Sequence, residues 1–262
     1  MPDDIRDVIL DEIKPLWKSK GICRFISTHP DDDHICGLAD LDGNLGILNF
    51  YCVKNDATKA APTSDFEHYC SLRDSDKIFN LHAGCSRKWM NQKNDNRGSA
   101  GINILWPITK NHFFKEALKI AADSGSPNNI SPIIKYSMND GVTVLWFGDL
   151  ENDFMENVKD EVDLPSADIV FAPHHGRNSG KLPNRWLDQI SPQIIVIGEA
   201  TSNDLHYYDG YNTITQNSAG DITFECGDDV DVYVSNEEYS VDFLHDCGNS
   251  DTYGYYIGSL QL

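Results

Sequence analysis

Several signals that mark other protein classes are missing from this sequence. No apolar run approaches the roughly 20 residues that a membrane-spanning helix needs. The first residues, MPDDIRDVILDEIKPLWKSKG, are charged and have helical periodicity, unlike the apolar core of a secretion signal. We therefore expect a cytoplasmic protein that has no membrane partner.

Closely spaced cysteine pairs are also missing. The chain has 7 cysteines but no Cys-x-x-Cys segment, which excludes zinc-ribbon and thioredoxin-type sites. An odd number of scattered thiols favours reduced, partly buried cysteines. Cys36 stands apart because it lies two residues after His34.

Basic residues are scarce, and residues 199–262 contain 13 Asp or Glu but no Lys or Arg. The net charge of −20 argues against a simple nucleic-acid-binding module, since such modules are usually basic. This negative charge is compatible with an enzyme that binds phosphate through metal ions and a few local cations. The acidic segment is either a solvated surface or a docking face for a basic protein partner or second chain.

The periodicity of the apolar residues predicts one α/β domain over residues 1–262, with an acidic, β-rich part from about residue 199. Helices are predicted at residues 4–19, 65–72, 112–123, 154–162 and 183–190. Strands are predicted at residues 23–27, 46–53, 102–106, 131–138, 142–147, 167–172, 194–198, 222–225 and 231–234. Asn139-Asp140-Gly141 predicts a hairpin turn. The first helix is expected to bury one face, formed by Ile5, Val8, Ile9, Ile13, Leu16 and Trp17.

The segment THPDDDH, residues 28–34, joins the first predicted strand to a helix. His29, Asp31, Asp33 and His34 offer two imidazoles and two carboxylates, which suit zinc or manganese. The structural alternative is a helix N-cap formed by Asp31 or Asp32. That alternative explains one carboxylate but gives neither histidine a role.

Two further strands end in residues that bind metals. Gly148-Asp149 follows one apolar run, and Pro173-His174-His175-Gly176 follows the next. An Asp after a strand is ordinary turn chemistry, but three successive strand ends with such residues indicate a site at the edge of a sheet. Two divalent ions about 3.5–4 Å apart, bridged by one carboxylate, would fit this set.

The order HxDxDH, then GDLE, then PHHG with a following Asn-Ser resembles the metallo-β-lactamase superfamily. Within it, the sequence is most similar to the hydrolase domain of the competence protein ComEC and its stand-alone relatives. The likeness covers about residues 5–225. It implies an αββα four-layer sandwich with two divalent metal ions, zinc or manganese, at one edge.

The resemblance also implies a role for each residue. His29 and Asp31 would bind one ion, Asp33 and His34 the other. Asp149 would bridge both ions, and His174 would complete the second site. The catalytic candidates are Asp33, His175 and His206.

The sequence departs from the family's pattern in two places. Asp31 replaces the His of the commoner HxHxDH, and only His112, on a predicted helix, is a candidate for a further ligand before Asp149. Oxygen-rich sites favour harder ions such as manganese. The N-terminal strands usual in the family are missing or replaced, and could come from the C-terminal part, from another chain or from a piece outside this sequence.

The leading functional hypothesis is a metal-dependent phosphodiesterase or nuclease acting on a phosphate-containing substrate, possibly nucleic acid. His175 or His206 would protonate the leaving oxygen, and Arg177, Lys181 and Arg185 would bind phosphate unless they form a solvated helix face. One alternative is a hydrolase of a small ester, such as a phosphocholine ester, thioester or lactone, with a pocket formed by Tyr207, Tyr208 and Tyr211. Another is a non-catalytic partner or sensor subunit of the same fold.

Overall fold

The computed structural model describes residues 3–21, 23–94, 98–138, 141–201 and 203–262, without the side chains of residues 3–6 and 20. The chain divides into two compact units. Unit 1 comprises Met1–Ala83 and Pro107–Pro132, and unit 2 comprises Gly84–Trp106 and Ile133–Leu262. Among the described helices, none has the length and apolar character to cross a membrane.

Unit 1 is built on a three-stranded sheet in the order β1-β2-β3, in which both pairs of strands are parallel. Parallel strands need helical crossovers, and the chain provides them between β1 and β2 and between β2 and β3. The elements are α1 (Asp3–Lys20), β1 (Cys23–Ile26), α2 (Asp32–Ile35), α3 (Leu38–Leu45), β2 (Ile47–Val53), α4 (Ser64–Arg73), β3 (Ile78–Leu81) and α5 (His112–Ala122).

Capping residues fix where the longer helices of unit 1 begin. The Thr63 hydroxyl accepts a hydrogen bond from the Phe66 amide at 3.2 Å, and Asn111 Oδ1 accepts one from the Phe114 amide at 2.9 Å. Each bond satisfies an amide that has no partner within the helix. The predicted helices at residues 65–72 and 112–123 are thus confirmed, whereas β3 was not predicted.

Helix α1 forms as predicted, but the expected burial of its apolar face is wrong for half of the face, since only Ile13 and Trp17 of that face are half-buried among its described side chains. Val8 and Leu16 are 59% and 67% exposed, Ile9 is also exposed, and Leu10 is the buried residue. The Ile5 side chain lies outside the described residues. The core of unit 1 is filled by β2, α3 and α4, so α1 packs beside α3 and leaves Val8, Ile9 and Leu16 in solvent.

Unit 2 contains a six-stranded sheet in the order β4-β5-β6-β7-β8-β9. The β4-β5 and β5-β6 pairs are antiparallel, and β6 to β9 run parallel to one another. The predicted hairpin is confirmed in its strands, although Asn139 and Asp140 of its turn lie outside the described residues. The elements are β4 (Ile102–Trp106), β5 (Ile133–Ser137), β6 (Thr143–Trp146), α6 (Asn152–Val158), β7 (Ile169–Phe171), α7 (Asn184–Ile190), β8 (Ile194–Ile197), β9 (Thr213–Thr215), α8 (Gln216–Ala219), β10 (Ile222–Cys226), β11 (Asp229–Val234) and β12 (Tyr255–Gln261).

The last three strands form a separate antiparallel sheet in the order β10-β11-β12. One core joins it to the six-stranded sheet, with Val230 and Val232 of β11 packed in the same cluster as Val144, Ile169 and Val196. The acidic segment therefore contributes apolar side chains to a buried core within unit 2. Within the described part of the chain these strands pair with each other and, through Ser259, with an isolated bridge to His245, so they do not extend the β1-β2-β3 sheet. The predicted α/β class is confirmed.

Candidate metal centre

The THPDDDH segment leaves the carboxyl end of β1 and leads into α2. His29 is fully buried, and its Nδ1 lies 3.1 Å from the Thr28 hydroxyl and 3.2 Å from the Ser131 hydroxyl. The rings of His29 and His34 lie with their centroids 4.1 Å apart. Hydrogen bonds at one ring nitrogen orient the other, which is how metal-binding imidazoles are usually held.

Each histidine of this segment has a carboxylate beside it. His29 Nε2 lies 3.9 Å from Asp31 Oδ2, and His34 Nε2 lies 3.9 Å from Asp33 Oδ2. These distances exceed hydrogen-bond length, and each pair brings together the nitrogen and oxygen donors that zinc and manganese accept. The residues of unit 1 thus fit a divalent cation by the chemistry of their donors.

Asp31 occupies the N-cap position of α2, but its side chain makes no capping hydrogen bond. Its carboxylate faces Lys59 instead: Lys59 Nζ lies 3.3 Å from Asp31 Oδ1 and 3.1 Å from Asp32 Oδ1. Burial raises the pKa of the Asp31 carboxyl, and the Lys59 ammonium partly offsets that effect. The capping alternative is therefore right about the backbone position of Asp31 and wrong about its side chain.

Lys59 is a residue of this cluster that sequence reasoning missed. It follows β2, the parallel neighbour of β1, and the carboxyl ends of neighbouring parallel strands meet at the same edge of a sheet. The signal was a lysine in the segment after an apolar strand, and Lys54 lies in the same segment. Without knowledge of strand order, nothing distinguished that lysine from others in the sequence.

Unit 2 gathers its candidate ligands from the ends of β6 and β7, which are parallel neighbours. The Asp149 carboxylate is 5% exposed. Its Oδ2 lies 3.5 Å from His175 Nε2 and 3.9 Å from His174 Nε2. The His174 amide donates to the Gly148 carbonyl at 3.0 Å, which ties the two strand ends together.

The His-His turn has an unusual backbone. His174 and His175 have φ values of +49° and +59°, and they are two of the four non-glycine residues with positive φ in the described ranges. Such conformations cost non-glycine residues about 1–2 kcal/mol each, and they concentrate at functional sites. Ser179 Oγ lies 2.9 Å from His174 Nδ1 and so orients that ring.

Two glycines permit this turn. A Cβ on Gly180 would lie 2.2 Å from the Pro173 carbonyl oxygen and 2.6 Å from His174 Cβ. A Cβ on Gly176, where φ is +84°, would lie 2.7 Å from the Ile197 side chain. The Gly of the His-His-Gly motif thus permits close packing against Ile197.

The predicted phosphate-binding cations lie after this turn and differ from one another. Arg177 is exposed and its amide donates to the His174 carbonyl at 3.1 Å. Lys181 is half-buried. Arg185 is exposed on α7 and forms an ion pair with Asp160, so its guanidinium already has a carboxylate partner.

The remaining predicted residues lie on the surface or in the core. His206 is exposed, with its ring against Tyr207, and His112 is exposed on α5, 3.2 Å from Glu116. Tyr208 is buried and accepts a hydrogen bond from the Leu182 amide at 3.2 Å; burial raises the pKa of its phenol.

The three tyrosines do not share the pocket that the small-ester alternative requires. Tyr208 belongs to the core of unit 2. Tyr211 borders a surface groove of about 530 Å³ beside β9, whose other lining residues come from residues 212–213 and 240–243. The aromatic support for a small-ester pocket is therefore weaker than the sequence suggested.

No protein-family model matches the chain, and no curated protein matches it significantly. The likeness to the metallo-β-lactamase superfamily consequently depends on the motifs and on the side chains around them.

Proposed function

We propose that this chain is a divalent-metal-dependent hydrolase of the metallo-β-lactamase superfamily, similar to the ComEC hydrolase domain, and that it cleaves phosphodiesters. The observation that carries the proposal is the Asp149 cluster. A buried carboxylate lies 3.5 Å and 3.9 Å from two imidazoles that a strained turn holds in place. Strain of this kind persists where surrounding structure enforces it, most often at sites of function.

The proposed fold is the αββα sandwich of that superfamily. Its support is that each unit contributes a sheet whose strands end in candidate ligands, after β1 in unit 1 and after β6 and β7 in unit 2. The candidate metal ligands come from both ligand sets: His29, Asp31, Asp33 and His34, together with Asp149 and His174. The order of the motifs along the chain is the basis for assigning residues of both sets to the same ions.

A bound zinc or manganese ion would lower the pKa of a coordinated water and so supply hydroxide at neutral pH. The side chains of the protein act on the leaving oxygen and on the charge of the phosphate. His175, one-quarter exposed, is placed to give a proton to the leaving oxygen. Arg177, exposed beside it, is a better phosphate-binding cation than Lys181, which is half-buried, or Arg185, which is paired with Asp160.

A phosphodiester substrate is compatible with the acidic surface. A net charge of −20 repels nucleic acid at long range, so binding would depend on local cations. We expect short or single phosphodiesters to be cleaved more readily than long duplexes, whose affinity for proteins comes from many phosphate contacts.

The proposal is tested by stripping the protein of metal, reloading it with manganese or zinc, and assaying bis-p-nitrophenyl phosphate, RNA and DNA. Asp149→Ala should lose hydrolysis by about three orders of magnitude, a loss of the order that follows removal of key active-site groups. Asp188→Ala provides the matched control, because Asp188 is an exposed aspartate of the same unit. Its activity should equal that of the unmodified protein.

Two outcomes would overturn the proposal. One is that no divalent metal restores cleavage of any of the three substrates. The other is that Asp149→Ala cleaves as fast as Asp188→Ala while retaining its fold by circular dichroism.

A further inference from the structure

The Lys59 ammonium, which lies against the THPDDDH segment, has no role in the proposed function. It contacts two carboxylates, Asp31 at 3.3 Å and Asp32 at 3.1 Å. It also lies 5.4 Å from the centroid of the Phe66 ring, within the range of a cation–π interaction. The Lys59 ammonium therefore already provides a cation beside Asp31, the residue that replaces the second histidine of the commoner HxHxDH motif.

The surroundings of Lys59 fix its position. Its side chain is only 19% exposed, which limits the directions in which the ammonium can move. The Thr63 hydroxyl donates to Asp32 Oδ1 at 3.0 Å, so one of its two carboxylate partners is itself anchored to the start of α4. A loosely tethered surface lysine would have neither the ring nor the anchored carboxylate.

We propose that the Lys59 ammonium takes the place of the first of the two cations expected from the motifs, so that the chain binds one divalent ion, on the side of Asp33 and His34. This inference rests on the proposed function, since it specifies the number of ions used. It assigns Lys59 as a positioning residue that determines metal stoichiometry.

Charge explains why the two positions differ. At the first, the Lys59 ammonium lies 3.3 Å from Asp31 and 3.1 Å from Asp32 and offsets part of the negative charge of these two carboxylates, while His29 adds an imidazole whose Nδ1 lies beside Thr28 and Ser131. A divalent ion bound there would add two positive charges beside a fixed ammonium, and the repulsion is strong where solvent screening is limited. At the second position, Asp33 and His34 are adjacent and Lys59 forms its ion pairs with Asp31 and Asp32.

The experiment counts ions instead of measuring activity. Metal-free protein is titrated with manganese and, separately, with zinc; native mass spectrometry gives the number of ions and isothermal titration calorimetry gives each dissociation constant. The unmodified protein should bind one ion. Lys59→Met, which keeps the length of the side chain and removes its charge, should bind two, as should Lys59→Met combined with Asp31→His.

Lys54→Met is the matched control, because Lys54 is an exposed lysine of the same loop, and it should bind one ion. Lys59→Gln serves as a second neutral variant if Lys59→Met unfolds, as judged by circular dichroism. Two ions in the unmodified protein would overturn the inference and leave the proposed function standing. One ion in every folded variant would also overturn it, whereas no ion in the unmodified protein at saturating metal would overturn the proposed function itself.

Discussion

The two ligand clusters of the chain are assembled in different ways. In unit 1, four candidate ligands lie within one continuous segment, residues 28–34, and Lys59 of the loop after β2 contacts the carboxylate of Asp31. In unit 2, the candidates come from two strand ends, and the backbone at His174 and His175 adopts positive φ. The first cluster is defined by charge, and the second by the close approach of backbone segments.

This difference predicts different responses to mutation. A cluster held by electrostatics should change its ion binding when a charge is altered, with little loss of stability. A cluster held by packed, strained backbone should lose stability when a single methyl group is added. The tests below apply each kind of change, beginning with the largest expected effect.

The largest effect should come from Gly180→Ala in unit 2. The new methyl group would collide with the Pro173 carbonyl and His174 Cβ, so we expect the free energy of unfolding to fall by roughly 3 kcal/mol. Gly43→Ala in unit 1 is the control, because Gly43 is exposed within α3 and a Cβ there meets nothing within 4 Å. That change should raise stability by about 0.5–1 kcal/mol, and urea denaturation of both variants measures the contrast.

Equal changes in the two glycine variants would show that the His-His turn is not tightly packed. In that case the distinction between the clusters would fail. The positive φ values of His174 and His175 would then need another explanation.

The second effect separates the two histidines of unit 1. If Lys59 replaces one cation, His34→Ala should weaken metal binding by at least about 100-fold, or about 2.7 kcal/mol. His29→Ala should weaken it less than about threefold, because His29 would bind no ion. Calorimetric titration with manganese compares the two variants, and equal losses would indicate that both positions are occupied.

The third effect is a gain in stability. Because His175 has φ of +59°, His175→Gly should relieve backbone strain and raise the free energy of unfolding by about 0.5–1 kcal/mol, while hydrolysis is lost. Thermal denaturation and the bis-p-nitrophenyl phosphate assay together test this. A variant that is both less stable and fully active would contradict the role given to this turn.

The smallest effect concerns a charge pair of unit 1 that lies outside the ligand cluster. Arg73 donates two hydrogen bonds to Asp74, at 2.8 Å and 2.9 Å, and they lower the pKa of the Asp74 carboxyl. The stability from this pair should be present above the unfolded pKa of about 3.9 and be lost as the pH falls through the lower folded pKa.

The expected size of this last effect is below about 1 kcal/mol, because Asp74 is largely solvent-exposed. Asp74→Asn should therefore differ slightly from the unmodified protein in its free energy of unfolding, and the difference should be larger at pH 7 than at pH 3. Metal binding should be unchanged at pH 7, since the pair does not contact the ligand segment. A change in metal affinity would mean that charge acts across unit 1 as a whole.

Much of the local structure was predictable because the relevant signals are local. Strand β4 follows an apolar run that Pro107 ends, and the hairpin of β5 and β6 follows from alternating residues around a turn motif. The strand ends that carry Asp149 and the His-His pair were located by the same apolar runs. In these places propensity, periodicity and tertiary structure agree.

The rest depended on contacts between distant parts of the chain. The role of Lys59 required knowing that β1 and β2 are neighbours, and the exposure of α1 required knowing which elements fill the core. Strand β9 has only three residues, and β12 contains Gly258 with a φ of +130°, so neither shows a clear strand pattern. The positive φ of His174 and His175 could not be read from residue type alone, because histidine is enriched among non-glycine residues with positive φ but most histidines do not adopt it.

The strained His-His turn has a consequence for laboratory evolution of this protein. A library sorted for heat resistance alone would favour glycine or asparagine at positions 174 and 175, because those residues adopt the observed backbone at lower cost. The selected variants would then be more stable to heat but would have lost hydrolytic activity. Any screen for robust variants should therefore score turnover in the same round as thermal survival.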